Sequence, residues 1–185
     1  MYITFLYLIL IFISVAATLT AILLAGALVT LFIVKVPYVP TPKRNVKLII
    51  DLLELKTGEV FYDLGCGDGR FLIEATKRGA KAIGFEVSPW AYLRAKFNIW
   101  VSGSKAEVFY QNFYQADLSA ADAVYCFLID SVMPKVEEKL KRDLKKGARI
   151  ICYGFKLPTW PPNKIVDYDA RNKKSSNIYI YHKTI

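Results

Sequence analysis

Three glycines at alternate positions, Gly65, Gly67 and Gly69, stand with Asp63 and Asp68 in the stretch FYDLGCGDGRF, Phe61 to Phe71. Glycine at this density lets a backbone turn sharply and approach a ligand closely, which is how phosphate cradles are built. Phosphate chemistry fits poorly here. In the dinucleotide fingerprint G-x-G-x-x-G the third glycine comes one residue later, and a phosphate loop would carry Lys and then Ser or Thr where Arg70 and Phe71 stand. Two carboxylates beside a pyrophosphate would repel it, whereas they suit a ligand with an ammonium or sulfonium charge. Glu86 follows about 20 positions after Asp63, the spacing at which an acid accepts the hydroxyls of a ribose. Taken singly, each of these residues also fits a solvated turn; the combination is what points to a ligand.

For such a turn to hold a ligand it must join a strand to a helix. EVFYDL reads as a short buried strand entering the turn, and RFLIEATKRGA as the helix leaving it and ending at Gly79. Upstream, Val46, Ile49, Ile50 and Leu53 in KRNVKLIIDLLELKTG recur at i, i+3, i+4 and i+7, which predicts an amphipathic helix closed by Gly58. Downstream, KAIGFEV is a second strand, and SPWAYLRAKFNIWVSG a helix with Ser88 as N-cap and Pro89 at its first position. AEVFY and DAVYCFLI are the third and fourth strands. SVMPKVEEKLKRDLKKG is a helix with Glu137/Lys141 and Glu138/Arg142 pairs and a closing Gly147, and ARIICYGF is the fifth strand. KIVDYDA and NIYIYHK, joined by RNKKSS, predict an antiparallel hairpin at the sheet edge. The alternation predicts an α/β fold, Rossmann-like, with a mostly parallel sheet and helices on both faces. Ligands of such sheets lie at the carboxyl ends of the strands, where the glycine turn and Glu86 both fall. A ligand with a cationic amino-acid end, a ribose and no phosphate is S-adenosylmethionine.

Ahead of this domain, residues 1–34 contain no Asp, Glu, Lys, Arg or His. The run exceeds the ~20 residues that span a bilayer core. It predicts one N-terminal transmembrane helix, roughly Phe5 to Val34, and a division into an anchor over 1–35 and a catalytic domain over 36–185. A cleaved signal is the competing reading, but the run lacks a basic leading region and is too long for a signal's apolar segment. A buried core helix would need protein on all sides. Lys35, Lys43, Arg44 and Lys47 follow the run, so the positive-inside rule predicts a single-pass protein with its domain on the cytoplasmic side. That membrane would be a prokaryotic cell membrane, or the mitochondrial inner membrane in a eukaryote. The formal charge of +9 falls wholly after residue 34 and suits an anionic lipid surface. No zinc-finger or RNA-recognition signature accompanies it, so no nucleic-acid partner is expected. Cys66, Cys126 and Cys152 are widely spaced, which predicts reduced thiols and no metal site. The single His182 reads as a surface or strand residue. VPYVPTPKR, with three prolines, is an extended linker.

DLGCGDGR and GFEVSPW resemble the first motif and the acidic second-strand motif of class I S-adenosylmethionine-dependent methyltransferases. With the apolar N-terminal run, PYVPTP and KLPTW, residues 36–162 are similar to the protein-lysine methyltransferases that modify the ATP synthase c subunit and the adenine nucleotide translocase, and to their prokaryotic relatives. The resemblance implies that Asp63, Gly65, Gly67 and Asp68 line the methionine end of S-adenosylmethionine and that Glu86 holds the ribose. It places Asn112 and Phe113 of YQNFY at the adenine, in a position where the family carries an acid; Asp117 is the alternative in a shifted register.

Methyl transfer from a sulfonium is an in-line displacement, so the enzyme mainly positions a nucleophile behind the methyl group. A lysine of pKa near 10.4 is only ~0.04% neutral at pH 7, so the site must desolvate it or take its proton. Adenine and glutamine methyltransferases place Asn or Asp, two prolines and an aromatic after the fourth strand. FLIDSVMP stands there instead, which turns the expectation away from amide and base amines and makes Asp130 a candidate proton acceptor or lysine-orienting group. Asp130 or Ser131 can equally be the N-cap of the following helix. Tyr38 is a candidate to close over cofactor or substrate and Trp160 to wall a lysine channel; packing alone would also account for each. The expected activity is methylation of lysine on a membrane or membrane-associated protein. The alternative is a lipid, quinone or other small-molecule acceptor at the membrane.

Overall fold

Strand β1 (Val60–Leu64) is apolar except for Asp63, and every residue after Val60 is buried, as expected of a strand covered on both faces. The computed structural model that contains it describes residues 2–33, 41–167 and 177–184. The chain divides into two compact units, Met1–Pro37 and Tyr38–Ile185.

The first unit is one helix, α1 (Tyr2–Ile33). Its stretch Tyr2–Gly26 is long and apolar enough to cross a membrane. Two of its hydroxyls bond back to the helix itself: Thr18 Oγ1 donates to the Ser14 carbonyl at 2.9 Å and Thr20 Oγ1 to that of Ala16 at 2.8 Å. A hydroxyl satisfied by its own backbone presents little polarity outward.

In the second unit the alternation becomes a seven-stranded sheet of order β3-β2-β1-β4-β5-β7-β6. After α2 (Lys43–Leu52) and β1 come α3 (Arg70–Lys77), β2 (Lys81–Glu86), α4 (Pro89–Val101), β3 (Glu107–Tyr110), β4 (Ala123–Cys126), α5 (Met133–Asp143), β5 (Arg149–Tyr153), β6 (Lys164–Val166) and β7 (Ile178–His182). Strands β1 to β5 pair in parallel, and β7 runs antiparallel to both β5 and β6. The expected hairpin is therefore present, with β7 inside the sheet and only β6 at its edge; the RNKKSS connection lies outside the described residues. His182 is an exposed strand residue. Cys126 and Cys152 face each other in register across β4 and β5, their sulfurs 3.3 Å apart, and with Cys66 they are buried free thiols.

Some expected element ends move. The stripe Val46, Ile49, Ile50 and Leu53 is buried as its spacing requires, but α2 stops at Leu52. Glu54 takes the left-handed conformation at φ 50°, and Gly58 belongs to the later turn, donating to the Gly79 carbonyl at 2.9 Å. Ser88 occupies the N-cap of α4 without a side-chain capping bond. Of the two expected pairs on α5, Glu137–Lys141 forms at 2.5 Å, whereas Arg142 turns to Asp143 at 2.8 Å. The fourth strand ends at Cys126, which frees 127–129 to form the loop after it.

Helix α3 lies so close to β2 that no side chain fits at Gly84. A Cβ there would stand 2.6 Å from Leu72 Cδ1 and 2.7 Å from Cys66 Sγ. The glycine is thus required for space, and through Cys66 it also seats the glycine turn. Gly84→Ala is expected to lower stability by about 1–3 kcal/mol through overpacking, read as a fall in the melting temperature of the full chain in detergent; an unchanged midpoint would show that α3 shifts freely.

Candidate functional site

The last residues of β1, β2, β3 and β4 are Leu64, Glu86, Tyr110 and Cys126. At the carboxyl edge that they form, Gly65, Gly67 and Gly69 take positive φ of 87°, 56° and 77°. Only glycine adopts a run of such angles without strain. The turn is pinned from β2: Gly65 and Cys66 N–H both donate to the Phe85 carbonyl, at 2.9 and 3.0 Å. From the other side, Asn98 Nδ2 on α4 donates to the Asp68 carbonyl at 2.9 Å.

Glu86 is the buried hub of this edge. Its Oε2 accepts from Gly67 N–H at 2.9 Å, and its Oε1 from Val87 and Ser88 N–H, each at 2.8 Å. Three amide donors fix the carboxylate in one orientation, and an oxygen with lone pairs still unused can accept further hydroxyls. Two of those donors, Val87 and Ser88, lead directly into α4, so the same carboxylate also fixes the approach to that helix.

Asp63 is 1% exposed, and among the described residues no hydrogen bond reaches its carboxylate. Burial, and then the charges of Glu86 and Asp68, push its pKa well above the usual carboxylate range. An acid left this way is short of one positive charge. Asp68 differs. Arg70 Nε and Nη2 hold its two oxygens at 2.8 and 2.6 Å, and although burial alone would raise its pKa, this fork holds it below the ordinary value. Asp68, which the resemblance sets with Asp63 at the methionine end, thus already has a cationic partner in Arg70.

Arg70, standing where a phosphate loop would carry its lysine, has a structural role that no local sequence pattern marks. Its Nη1 also donates to the Thr41 carbonyl. Thr41 Oγ1 meets Tyr125 Oη at 3.1 Å, and Asn45 Nδ2 donates to Tyr153 Oη at 3.0 Å. The start of the domain is thereby tied to the glycine turn and to the ends of β4 and β5. Tyr125 sits in register with Asp63 and stacks on Phe71 with ring centroids 3.9 Å apart. A polar residue closing a strand-borne tyrosine was the available signal, but no local period reveals it.

At the end of β3, Asn112 is exposed and caps the short turn Phe113–Gln115, accepting from Tyr114 N–H at 3.0 Å; Phe113 is buried. Asp117 closes its own turn, accepting from Ser119 N–H at 2.9 Å, and this bond holds its pKa below the ordinary value. In the loop after β4, Leu128 Cδ2 comes within 3.3 Å of where a Cβ on Gly65 would stand. Asp130 is exposed two residues further on, and neither it nor Ser131 caps α5, whose N-cap is Val132 with no side-chain bond. The capping role is therefore corrected.

Tyr38 lies outside the described residues. Trp160 is brought to the opposite end of the sheet. Its ring lies 5.6 Å from Lys183 Nζ and 6.0 Å from the ring of Tyr181, and Lys183 exchanges backbone bonds with Gly147 and Ala148, just before β5 begins. The expectation of a lysine-channel wall fails for a topological reason. With no helix between β5 and β6, residues 154–163 must carry the chain from the carboxyl to the amino edge, and Trp160 falls near the far end of that passage. There Glu137 accepts Thr159 N–H at 2.8 Å and pairs with Lys141; burial would raise its pKa, but these bonds hold it low. KLPTW is a clasp on α5.

The family model described as "ANTKMT methyltransferase domain" matches residues 63–164. A protein-lysine N-methyltransferase of Saccharolobus islandicus is 32% identical over 154 residues, covering 81% of this chain and 95% of that protein. An adenine nucleotide translocase lysine N-methyltransferase of Mus musculus is 36% identical over 135 residues, covering 71% of this chain and 58% of that protein. Among solved structures, an RNA methyltransferase of Salinibacter ruber in complex with S-adenosyl-L-homocysteine superposes with a TM-score of 0.74 at 30% identity, covering 79% of this chain and 94% of that one. The glycine turn, the buried Asp63 and the oriented Glu86 thus belong to an S-adenosylmethionine-dependent methyltransferase, a member of the ANTKMT methyltransferase domain family.

Proposed function

We propose that the chain methylates a lysine side chain of a membrane or membrane-associated protein, with α1 as a single-pass anchor over 1–35, the domain of 36–185 catalytic, and that domain on the cytoplasmic face. Asp130 carries the acceptor side of this reading: an exposed carboxylate just beyond β4, free of capping duty, on the loop that packs against the glycine turn. The protein-lysine methyltransferases among the relatives support the class of acceptor. Support for the anchor comes from the length and composition of Tyr2–Gly26 and from the cations that follow it.

S-Adenosylmethionine supplies an electrophilic methyl on a cationic sulfur. The residues present fit it. Asp63, buried beside Glu86 without a counter-charge, would take the cationic methionine end; Gly65 and Gly67 leave room for its close approach; Glu86 would accept from the ribose. Asn112 would accept from the adenine amino group through Oδ1, with Phe113 beside it. Asp68 acts through Arg70, holding the turn to Thr41. Tyr38 precedes Thr41 by three residues, and it is kept as a candidate to close over the site. Asp130 would orient the incoming ammonium and receive its proton, leaving the neutral amine that attack requires.

Two measurements test this. The raised pKa of Asp63 belongs to the ligand-free protein, and a cation bound beside it draws the proton off. Binding is therefore expected to release a proton and to tighten as pH rises toward that pKa, seen by calorimetry in buffers of differing ionisation enthalpy. Stability follows the opposite sign: the favourable contribution of protonated Asp63 is full below the ordinary carboxylate pKa of ~3.9 and is lost as pH rises through the folded value. Asp63→Asn is expected to raise the melting temperature of the free protein at neutral pH, remove the proton release and weaken binding about tenfold or more, the loss of roughly one charged contact. Affinity that ignores both pH and this substitution would remove Asp63 from the site.

For the acceptor, membranes incubated with the full chain and methyl-labelled S-adenosylmethionine are expected to yield label as methyl-lysine in hydrolysed protein. Asp130→Asn is expected to cut that transfer by about 10²-fold, the usual scale of a positioned general base, while cofactor affinity stays constant. Label confined to lipid, small molecules or RNA would refute the lysine assignment.

A further inference from the structure

Helix α4 buries one face and leaves another bare. Ala91, Ala95 and Ile99 pack inward. On the outer side Trp90, Leu93, Phe97, Trp100 and Val101 are 50%, 57%, 60%, 77% and 62% exposed. At about 100° per residue these five side chains fall in an arc roughly 100° wide, so they form one continuous apolar stripe along the helix. Exposed cations, Arg94 and Lys96, stand at its two margins. Large contiguous apolar surface on a water-facing helix marks something that covers it.

We propose that this stripe lies in the water–lipid boundary of an anionic bilayer, as an in-plane helix separate from α1. The proposal rests on the reading above that the chain is held at a membrane. Three observations choose lipid over a protein or a second copy. Two tryptophans in one stripe suit the headgroup boundary, where an aromatic body is buried and its polar N–H stays wet. Arg94 and Lys96 flank the stripe where anionic headgroups would meet them, and the whole excess of +9 lies in the part of the chain after residue 34. Residues 34–42 connect α1 to α2, a tether of at most about 30 Å at full extension, so the domain stays near whatever surface α1 enters.

The placement determines how the acceptor is met. Helix α4 begins at Pro89, next to the carboxyl edge that ends at Glu86, and runs back along the sheet. With its stripe in the boundary, the strands run along the bilayer surface and the carboxyl edge opens sideways. A lysine held at the level of the headgroups then approaches the mouth within the plane, while one on a long extramembrane arm has no advantage.

The chain has three tryptophans, so Trp160→Phe leaves only the two of α4. This full-length variant is reconstituted into phosphatidylcholine–phosphatidylglycerol vesicles with plain or dibrominated acyl chains. Brominated lipid is expected to quench at least about half of the emission, since an interfacial helix sits roughly 5–10 Å into the boundary. Adding Leu93→Glu and Phe97→Glu, both exposed and outside the site, is expected to reduce the quenching at least twofold while S-adenosylmethionine binding persists. Flotation with the vesicles after alkaline carbonate washing reports α1 independently. A chain that floats yet emits equally in both lipids overturns the α4 proposal and leaves the anchor standing. A chain that does not float overturns the anchor and this proposal together. A dimer in detergent that the double substitution abolishes, without bromine quenching, overturns it in favour of a second copy.

Discussion

The carboxylate of Glu86 is the interaction on which the site depends. A turn of alternate glycines has little conformational preference of its own, and its order must come from outside. Glu86 supplies it by accepting from Gly67 within the turn and from Val87 and Ser88 at the start of α4. One side chain thus fixes both the turn and the two residues that lead into α4. Its burial is tolerable because each oxygen is met by amide hydrogens, the condition under which a charge can leave water.

Around that hub the charges are divided unequally. Asp68 has Arg70; Asp63 has none among the described residues. The protein therefore carries, in its free form, an electrostatic deficit that a sulfonium or ammonium group would remove. Such a deficit costs folding stability and favours ligand binding, the trade usual for sites preorganised toward a charged group. Arg70 serves a second end by reaching Thr41, so the segment entering the domain is tied to the cofactor turn.

Local patterns made much of this legible. The strand, turn, helix and second strand from Val60 to Glu86 lie within a single contiguous stretch, and glycine spacing and burial period both act over a few residues. The stripe of α2 was readable for the same reason. What depended on the return path of the chain was not. Trp160 follows β5 closely in sequence, but the direction of residues 154–163 is set by the absence of a helix there and by the insertion of β7, and these put it at the wrong edge for chemistry. Capping was misjudged at Ser88, which stands at the N-cap of α4 but makes no side-chain capping bond. The end of α2 moved because Glu54 accepted a left-handed conformation that sequence preference assigns to glycine. The bond between Thr41 and Tyr125 joins residues far apart in the chain and leaves no periodic trace.

The three cysteines have a practical consequence. Cys126 and Cys152 lie sulfur to sulfur, close enough that proximity would not protect them from oxidation. Protection comes from their surroundings: a sulfur–sulfur hydrogen bond and burial raise the Cys152 thiol pKa, and burial with the nearby carboxylates does so at Cys66. A thiol held protonated is a poor nucleophile for exchange and a poor target for alkylation. Because all three thiols are also buried, thiol reagents have little access to them in the native domain, and a single cysteine introduced on its surface becomes the preferred point of attachment for a probe with no native residue removed.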